Sequence, residues 1–228
     1  MNSRGPLWRS LRSALHNLRH GRRIAGQRKT LRAFAERGSG RIVIGSSGTA
    51  PEGWVATDRE VVDLLREDTW LRYFAPGSLD AILAEHVWEH LPAEVAGRCA
   101  GTCFRFLKPG GYLRVAVPDG LHPDPKYINQ VKPGGSGPGA DDHKVLYTYA
   151  SFRDLFAREG FEVRLYEYYD ESGRFQYQEW NPQSGLIRRS MRFDERNSPG
   201  HLAYTSIVLD AVKPKGAHAA DLGQSTRV

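Results

Sequence analysis

No run of 18 apolar residues occurs anywhere in the sequence, so no helix long enough to cross a bilayer is encoded. The start lacks the short apolar core of a secretory signal, and export by that route is not expected. Cysteine is nearly absent. Cys99 and Cys103 are the only two, and four positions apart on one predicted helix they are poorly placed to pair, so the cytoplasm is the expected setting. Acidic residues are scarce over residues 1–37, which hold ten Lys or Arg against one acid, Glu36. The rest of the chain holds 22 bases and 25 acids, so the formal charge of +6 belongs to the amino-terminal arm and the body is mildly acidic. That distribution does not suggest a nucleic-acid-binding core. What is present, 228 residues of which 40% are hydrophobic, suffices to bury the core of one α/β domain.

The stretch from Leu79 to Asp119 carries the densest information. Leu79 to Ala84 is apolar behind a single acid, Asp80, as in a strand buried on both faces of a parallel sheet. Glu85, His86, Glu89 and His90 follow as a compact ionisable group. From Pro92 onward Val95, Cys99, Cys103, Phe106 and Leu107 recur at helical spacing, with the proline where a first turn tolerates it. Lys108-Pro109-Gly110-Gly111 stops that helix, and Tyr112 to Val117 turns apolar again. Strand, helix and strand form a right-handed crossover, which gathers functional groups at the carboxyl ends of its strands.

Upstream, Arg41 to Gly45 reads as a first strand ending in the turn Gly45-Ser46-Ser47-Gly48, and Trp54 to Asp58 as a second. Only eight residues separate Gly45 from Trp54. A helical crossover needs roughly ten to twelve, so the helix usual at this point must be short or missing.

EHVWEHL followed by LKPGG and VPD resembles the class I S-adenosylmethionine-dependent methyltransferases, and among them the type-11 branch. The likeness extends over roughly residues 40 to 170. It implies a Rossmann-like, mostly parallel sheet of order 3-2-1-4-5-7-6, with an antiparallel edge hairpin from Phe161–Tyr168 and Tyr204–Val212, and with reduced amino-terminal helices. It implies S-adenosylmethionine as cofactor, held by Gly45, Ser46 and Ser47. The family turn reads Gly-x-Gly, and here Ser47 replaces the second glycine. Asp58 then corresponds to the acid that takes the ribose hydroxyls, Asp63, on a brief third strand at Val61–Leu65, to a loop acid near the adenine, and Glu85 to a residue of the cofactor pocket.

Methyl transfer is an in-line attack on a sulfonium methyl, and a hydroxyl or ammonium acceptor must also lose a proton. His143, helped by Glu85 or His86, is the expected proton acceptor for a small-molecule substrate, because imidazole exchanges protons near neutral pH. Ubiquinone-type O-methyltransferases carry a metal-binding Glu-x-x-Glu-His where this sequence has His86 to His90. A divalent metal on His86, Glu89 and His90 is therefore the alternative use of the same side chains. Those five residues also match the His-x-x-Glu-His of inverted zinc peptidases, which keeps a metal-dependent hydrolase as a rival reading. Pro92 argues against it, since the peptidase motif needs a continuous helix. A non-catalytic binding protein of the same fold is the third class.

The expected organisation is a basic helical arm over residues 1–37, a methyltransferase domain over 38–213 and a disordered tail over 214–228. In the arm Leu7, Trp8, Leu11, Leu15 and Leu18 follow a helical period among arginines, a pattern suited to an anionic membrane surface or nucleic acid. Residues 120–142, rich in proline and glycine, read as an irregular mobile lid. Residues 169–203 combine Trp180 and Phe193 with Arg188, Arg189 and Arg192, and read as an insertion covering the substrate.

Overall fold

The computed structural model describes residues 6–37 and 40–216, with side chains from residue 17 onward. Residues 217–228 of the expected tail lie outside that range, as do the side chains of Leu7, Trp8, Leu11 and Leu15. Four parallel strands, β1 (Arg41–Ile44), β2 (Trp54–Ala56), β3 (Leu79–Glu85) and β4 (Leu107–Pro118), form one half of a seven-stranded sheet. β7 (Ser206–Val212) runs antiparallel between β4 and β5 (Glu162–Tyr169), and β6 (Phe175–Tyr177) closes the edge. The order is β2-β1-β3-β4-β7-β5-β6.

This is the expected mostly parallel sheet with its antiparallel edge, shifted by one strand. Val61–Leu65 is not a strand. Asp63 pairs only with Arg66 across a turn, its carboxylate accepts from Leu65 N–H, and its own N–H donates to Thr69 Oγ1. Local side-chain bonding wins over pairing there, a common competition for Asp. The seventh strand is instead β6, added at the opposite edge.

All the long helices lie on one face of the sheet. α1 (Pro6–Ala35) docks through Ile24, Gln27 and Leu31, one helical stripe, while Leu18 of the expected apolar stripe is exposed. α2 (Glu67–Trp70), α3 (Ala93–Phe106) and α5 (Tyr149–Arg158) add Trp70, Cys99, Cys103, Phe106, Phe152 and Phe156 to the same core, against Ile42, Ile44, Ile82 and Val115 of the strands. No helix connects β1 to β2, as the short spacing requires. The other face, Val43, Trp54, Leu83, Ala116 and Val208, is covered by an irregular segment that contributes Trp180 and Ile187.

The excursion after β4 is more regular than its composition suggests. α4 (Pro125–Val131) forms because Asp124 caps it, accepting from Lys126 N–H at 2.8 Å, because Pro125 occupies the first turn, and because Tyr127 and Val131 are buried one turn apart. The glycine-rich stretch beyond is tied back by Ser136 N–H to Asn129 O and Gly137 N–H to Gln130 O. Asp119 and Tyr147 pair across its root, so it leaves and returns at one place.

Candidate active site

A cavity of about 590 Å³ opens at the carboxyl ends of β1 and β3. Gly45, Ser46 and Ser47 line one side, Glu85, His86, Glu89 and His90 the next, and the excursion after β4 contributes Gly139 and Ala140, with His143 just beyond it. Among the described residues only Ser47 (φ +50°) and His86 (φ +55°) adopt positive φ without being glycine, and both line this cavity. Such conformations cost of order 1–3 kcal/mol each and cluster where function demands a particular side-chain direction. Gly45, at φ +64°, must be glycine, since a Cβ there would lie 2.7 Å from Val87 Cγ2.

The turned backbone at His86 aims both ring nitrogens at fixed partners. Ser206 Oγ donates to Arg189 O at 2.6 Å, so it accepts from His86 Nε2–H at 2.9 Å. His86 Nδ1 faces Glu89 Oε1 at 2.9 Å. Glu89 is fully buried, yet neither of its oxygens takes part in a well-aligned hydrogen bond, so the contact with His86 is electrostatic. Burial pushes the Glu89 carboxyl up, but His86, the residue's own backbone and His90 pull it further down, and it stays below its ordinary value.

His143 is brought in by the chain returning from the excursion after β4. Lys144 N–H donates to Glu89 O at 2.7 Å, which stitches the returning chain to the 3₁₀ turn Trp88–His90. The His143 ring is buried, and its Nδ1 sits 2.6 Å from Val131 O. A carbonyl can only accept, so Nδ1 carries a proton, and in the neutral ring the lone pair belongs to Nε2. The rings of His90 and His143 meet edge to face with centroids 4.8 Å apart.

Asp58 and Asp63 do not line the cavity. The Asp58 carboxylate accepts from Ser46 Oγ–H (3.0 Å), Ser47 N–H (2.8 Å) and Gln27 Nε2–H (2.9 Å), and pairs with Arg23 Nε at 3.2 Å. Here it joins the turn after β1 to α1. Asp63 closes its own turn, as described above. Glu85 lines the cavity and accepts from Arg189 N–H at 2.6 Å. Arg188, Arg189 and Arg196 form a basic wall opposite, with Arg196 fixed by a two-point pair to Asp194 and lying 3.5 Å over the Tyr204 ring. Arg196 and Tyr204 carried no signal in the sequence as cavity residues. Gln27 and Arg23 were equally hidden, because their partner lies 31 or more positions away.

The peptidase geometry is not formed. His86 stands before a three-residue 3₁₀ turn that ends at Leu91 in extended backbone, so the two histidines share no continuous α-helix face. The strained residue and Pro92 are the cause.

Residues 26–115 match the family model described as a methyltransferase domain. Among solved structures the chain is similar to a SAM dependent methyltransferase from Archaeoglobus fulgidus, with 16% identity, 82% of this chain and 94% of that one covered and a TM-score of 0.43. It is also similar to an O-methyltransferase family protein from Burkholderia thailandensis, with 12% identity, 86% and 60% covered and a TM-score of 0.46. No curated protein matches the chain. The family match begins within α1 and ends within β4, and so takes in the Gly45 turn and the ionisable group together. Residues 26–115 of this chain are thus similar to a methyltransferase domain, and the seven-stranded sheet that begins within them is a Rossmann-like α/β sheet.

Proposed function

We propose that this chain transfers the methyl group of S-adenosylmethionine to a small-molecule acceptor held in the cavity between the Gly45 turn and the lid. The observation that carries the reading is the placement of both strained non-glycine residues, Ser47 and His86, just past the carboxyl ends of neighbouring parallel strands, at one cavity. The Gly45–Ser47 turn offers closely approachable backbone for the cofactor, with Glu85 beside it. His143 Nε2, with its lone pair fixed by the Val131 carbonyl, is the proton acceptor, and His86 and Glu89 form the polar floor beneath it. Asp58 reaches ribose hydroxyls only by exchanging Gln27 and Arg23 for them, so cofactor binding on this reading loosens α1.

Isothermal titration of the full chain with S-adenosylmethionine and with its demethylated product tests the proposal. Binding of both, weakened by Gly45→Val, is the expected result. A folded protein that binds neither would falsify it. Once an acceptor is known, His143→Ala should slow transfer by about 10²- to 10⁴-fold with little change in cofactor affinity.

A further inference from the structure

We infer that Glu89, His90 and His143 form a binding site for one transition-metal ion of the zinc class, open to the cavity through its remaining coordination position. Their donor atoms all lie within 4.8 Å of one another. Donors of a tetrahedral ion, at bond lengths near 2.1 Å, stand about 3.4 Å apart, so the site closes on an ion by side-chain adjustments of about an ångström. Two imidazoles and a carboxylate suit Zn²⁺, Co²⁺ or Fe²⁺ better than Mg²⁺ or Ca²⁺, which prefer all-oxygen shells.

Three independent features point to a cation there. Glu89 is 0% exposed, and while its Oε1 faces His86, its Oε2 has no hydrogen-bond partner among the described residues, which leaves a buried carboxylate oxygen unsatisfied. The Nδ1 of His90 is also buried without a hydrogen bond, and the Asp142 carboxylate stands 3.4 Å behind it. His143 has its Nδ1–H committed to the Val131 carbonyl, the outer-shell contact that orients metal-bound histidines and leaves Nε2 to coordinate. His86, by contrast, donates through Nε2 to Ser206 and faces Glu89 with Nδ1. It is therefore a positioning residue for Glu89 Oε1, and the ligand set differs from the His86, Glu89 and His90 expected from the sequence by exchanging His86 for the lid residue His143.

The two uses of His143 are exclusive, because one lone pair serves either a proton or an ion. With an ion bound, coordination would acidify an acceptor hydroxyl at the open position, and its proton would pass to water in the open cavity rather than to the imidazole. Since His143 arrives on the lid and Glu89 sits on the floor, an ion would also hold the lid closed.

The test does not require the methyltransferase reading. The full chain, stripped with a chelator and free of S-adenosylmethionine, is titrated with Zn²⁺ by calorimetry and with Co²⁺ by visible absorption. One ion per chain is expected, with His90→Gln and His143→Gln each weakening it by at least about 100-fold and His86→Ala by about 10- to 100-fold. Near-ultraviolet circular dichroism checks that each variant is folded. Folded wild type that takes up no ion overturns the site. So does uptake that survives either glutamine substitution unchanged. Where a variant does not fold, the imidazole nitrogen shifts of His90 and His143 in the wild type decide, and rings that do not respond to Zn²⁺ overturn the assignment.

Discussion

The two faces of the sheet are closed by different physics. On one, α1, α3 and α5 lay apolar stripes on Ile42, Ile82 and Val115, and burial of side chains such as Phe106 and Phe156 supplies the adhesion. On the other, a segment without α-helix is held by buried polar groups. Arg114, 2% exposed on β4, makes a two-point pair with Asp210 of β7 at 2.7 and 2.8 Å, donates to Asn181 O and Gly185 O, and lies 5.1 Å from the Trp180 ring. Glu167, fully buried on β5, accepts from Trp180 Nε1–H and Met191 N–H, and burial raises its carboxyl. A helix satisfies its own backbone and needs only an apolar partner. An irregular cover has unpaired carbonyls and N–H groups, and this face spends an arginine and a glutamate on satisfying them.

The contrast predicts its own largest failure. Arg114→Met leaves the buried Asp210 carboxylate with only the Tyr166 hydroxyl as donor and two segment carbonyls without their arginine, and should cost about 3–5 kcal/mol in denaturant unfolding. Exposure of Trp180 should accompany the loss, and adding Asp210→Leu should recover most of the stability. If the double variant is no better than the single one, the pair is not what holds this cover.

A second prediction concerns the root of the excursion after β4. Burial pushes the Asp119 carboxyl up to about 6, although the N–H groups of Tyr169 and Leu121 donate to it. The folded chain thus keeps a proton that the unfolded chain releases near pH 4. Stability from this group is full below about pH 4 and declines as the pH rises to about 6, by about 3 kcal/mol. Relative to Asp119→Leu, the wild type should lose stability across that window, and a carbon-detected titration should place the carboxyl midpoint near 6. A flat difference would mean that Asp119 is ionised at no cost.

Asp58 is the point where the helix-covered side borrows the polar logic of the other. Asp58→Ala removes the acceptor of Gln27, Ser46 and Ser47 and the partner of Arg23. A loss of about 1.5–3 kcal/mol is expected, with earlier proteolysis within α1. Equal stability with weaker cofactor affinity would assign the acid to the ribose alone. On the helix face, Ile82→Val should cost only about 0.5–1.5 kcal/mol and leave Trp180 fluorescence unchanged. The smallest effect is chemical. Burial pushes the Cys99 thiol up to about 11 and Cys103 well above its usual range, so neither should react with a thiol reagent until the chain unfolds.

The sequence alone determined the elements whose cause is local. Strands β1, β3 and β4, helix α3 and the missing helix between β1 and β2 follow from apolar periodicity, the Lys108–Gly111 stop and a spacing of eight residues. The ionisable group Glu85 to His90 was legible at the cavity because a strand end fixes where its next residues lie. Other features were decided only in three dimensions. Val61–Leu65 looks like a strand but yields to the bonds of Asp63, and 120–142 looks irregular until Tyr127 and Val131 find buried partners. Asp58 was legible as an acid at a strand end, but its bonds come from Gln27 and Arg23, which no local pattern links to it. His143 meets Glu89 and His90 only because Lys144 N–H pairs with the Glu89 carbonyl. Contacts between residues more than 30 positions apart depend on how the whole chain closes, and one-dimensional spacing records only the turns and faces that neighbouring residues share.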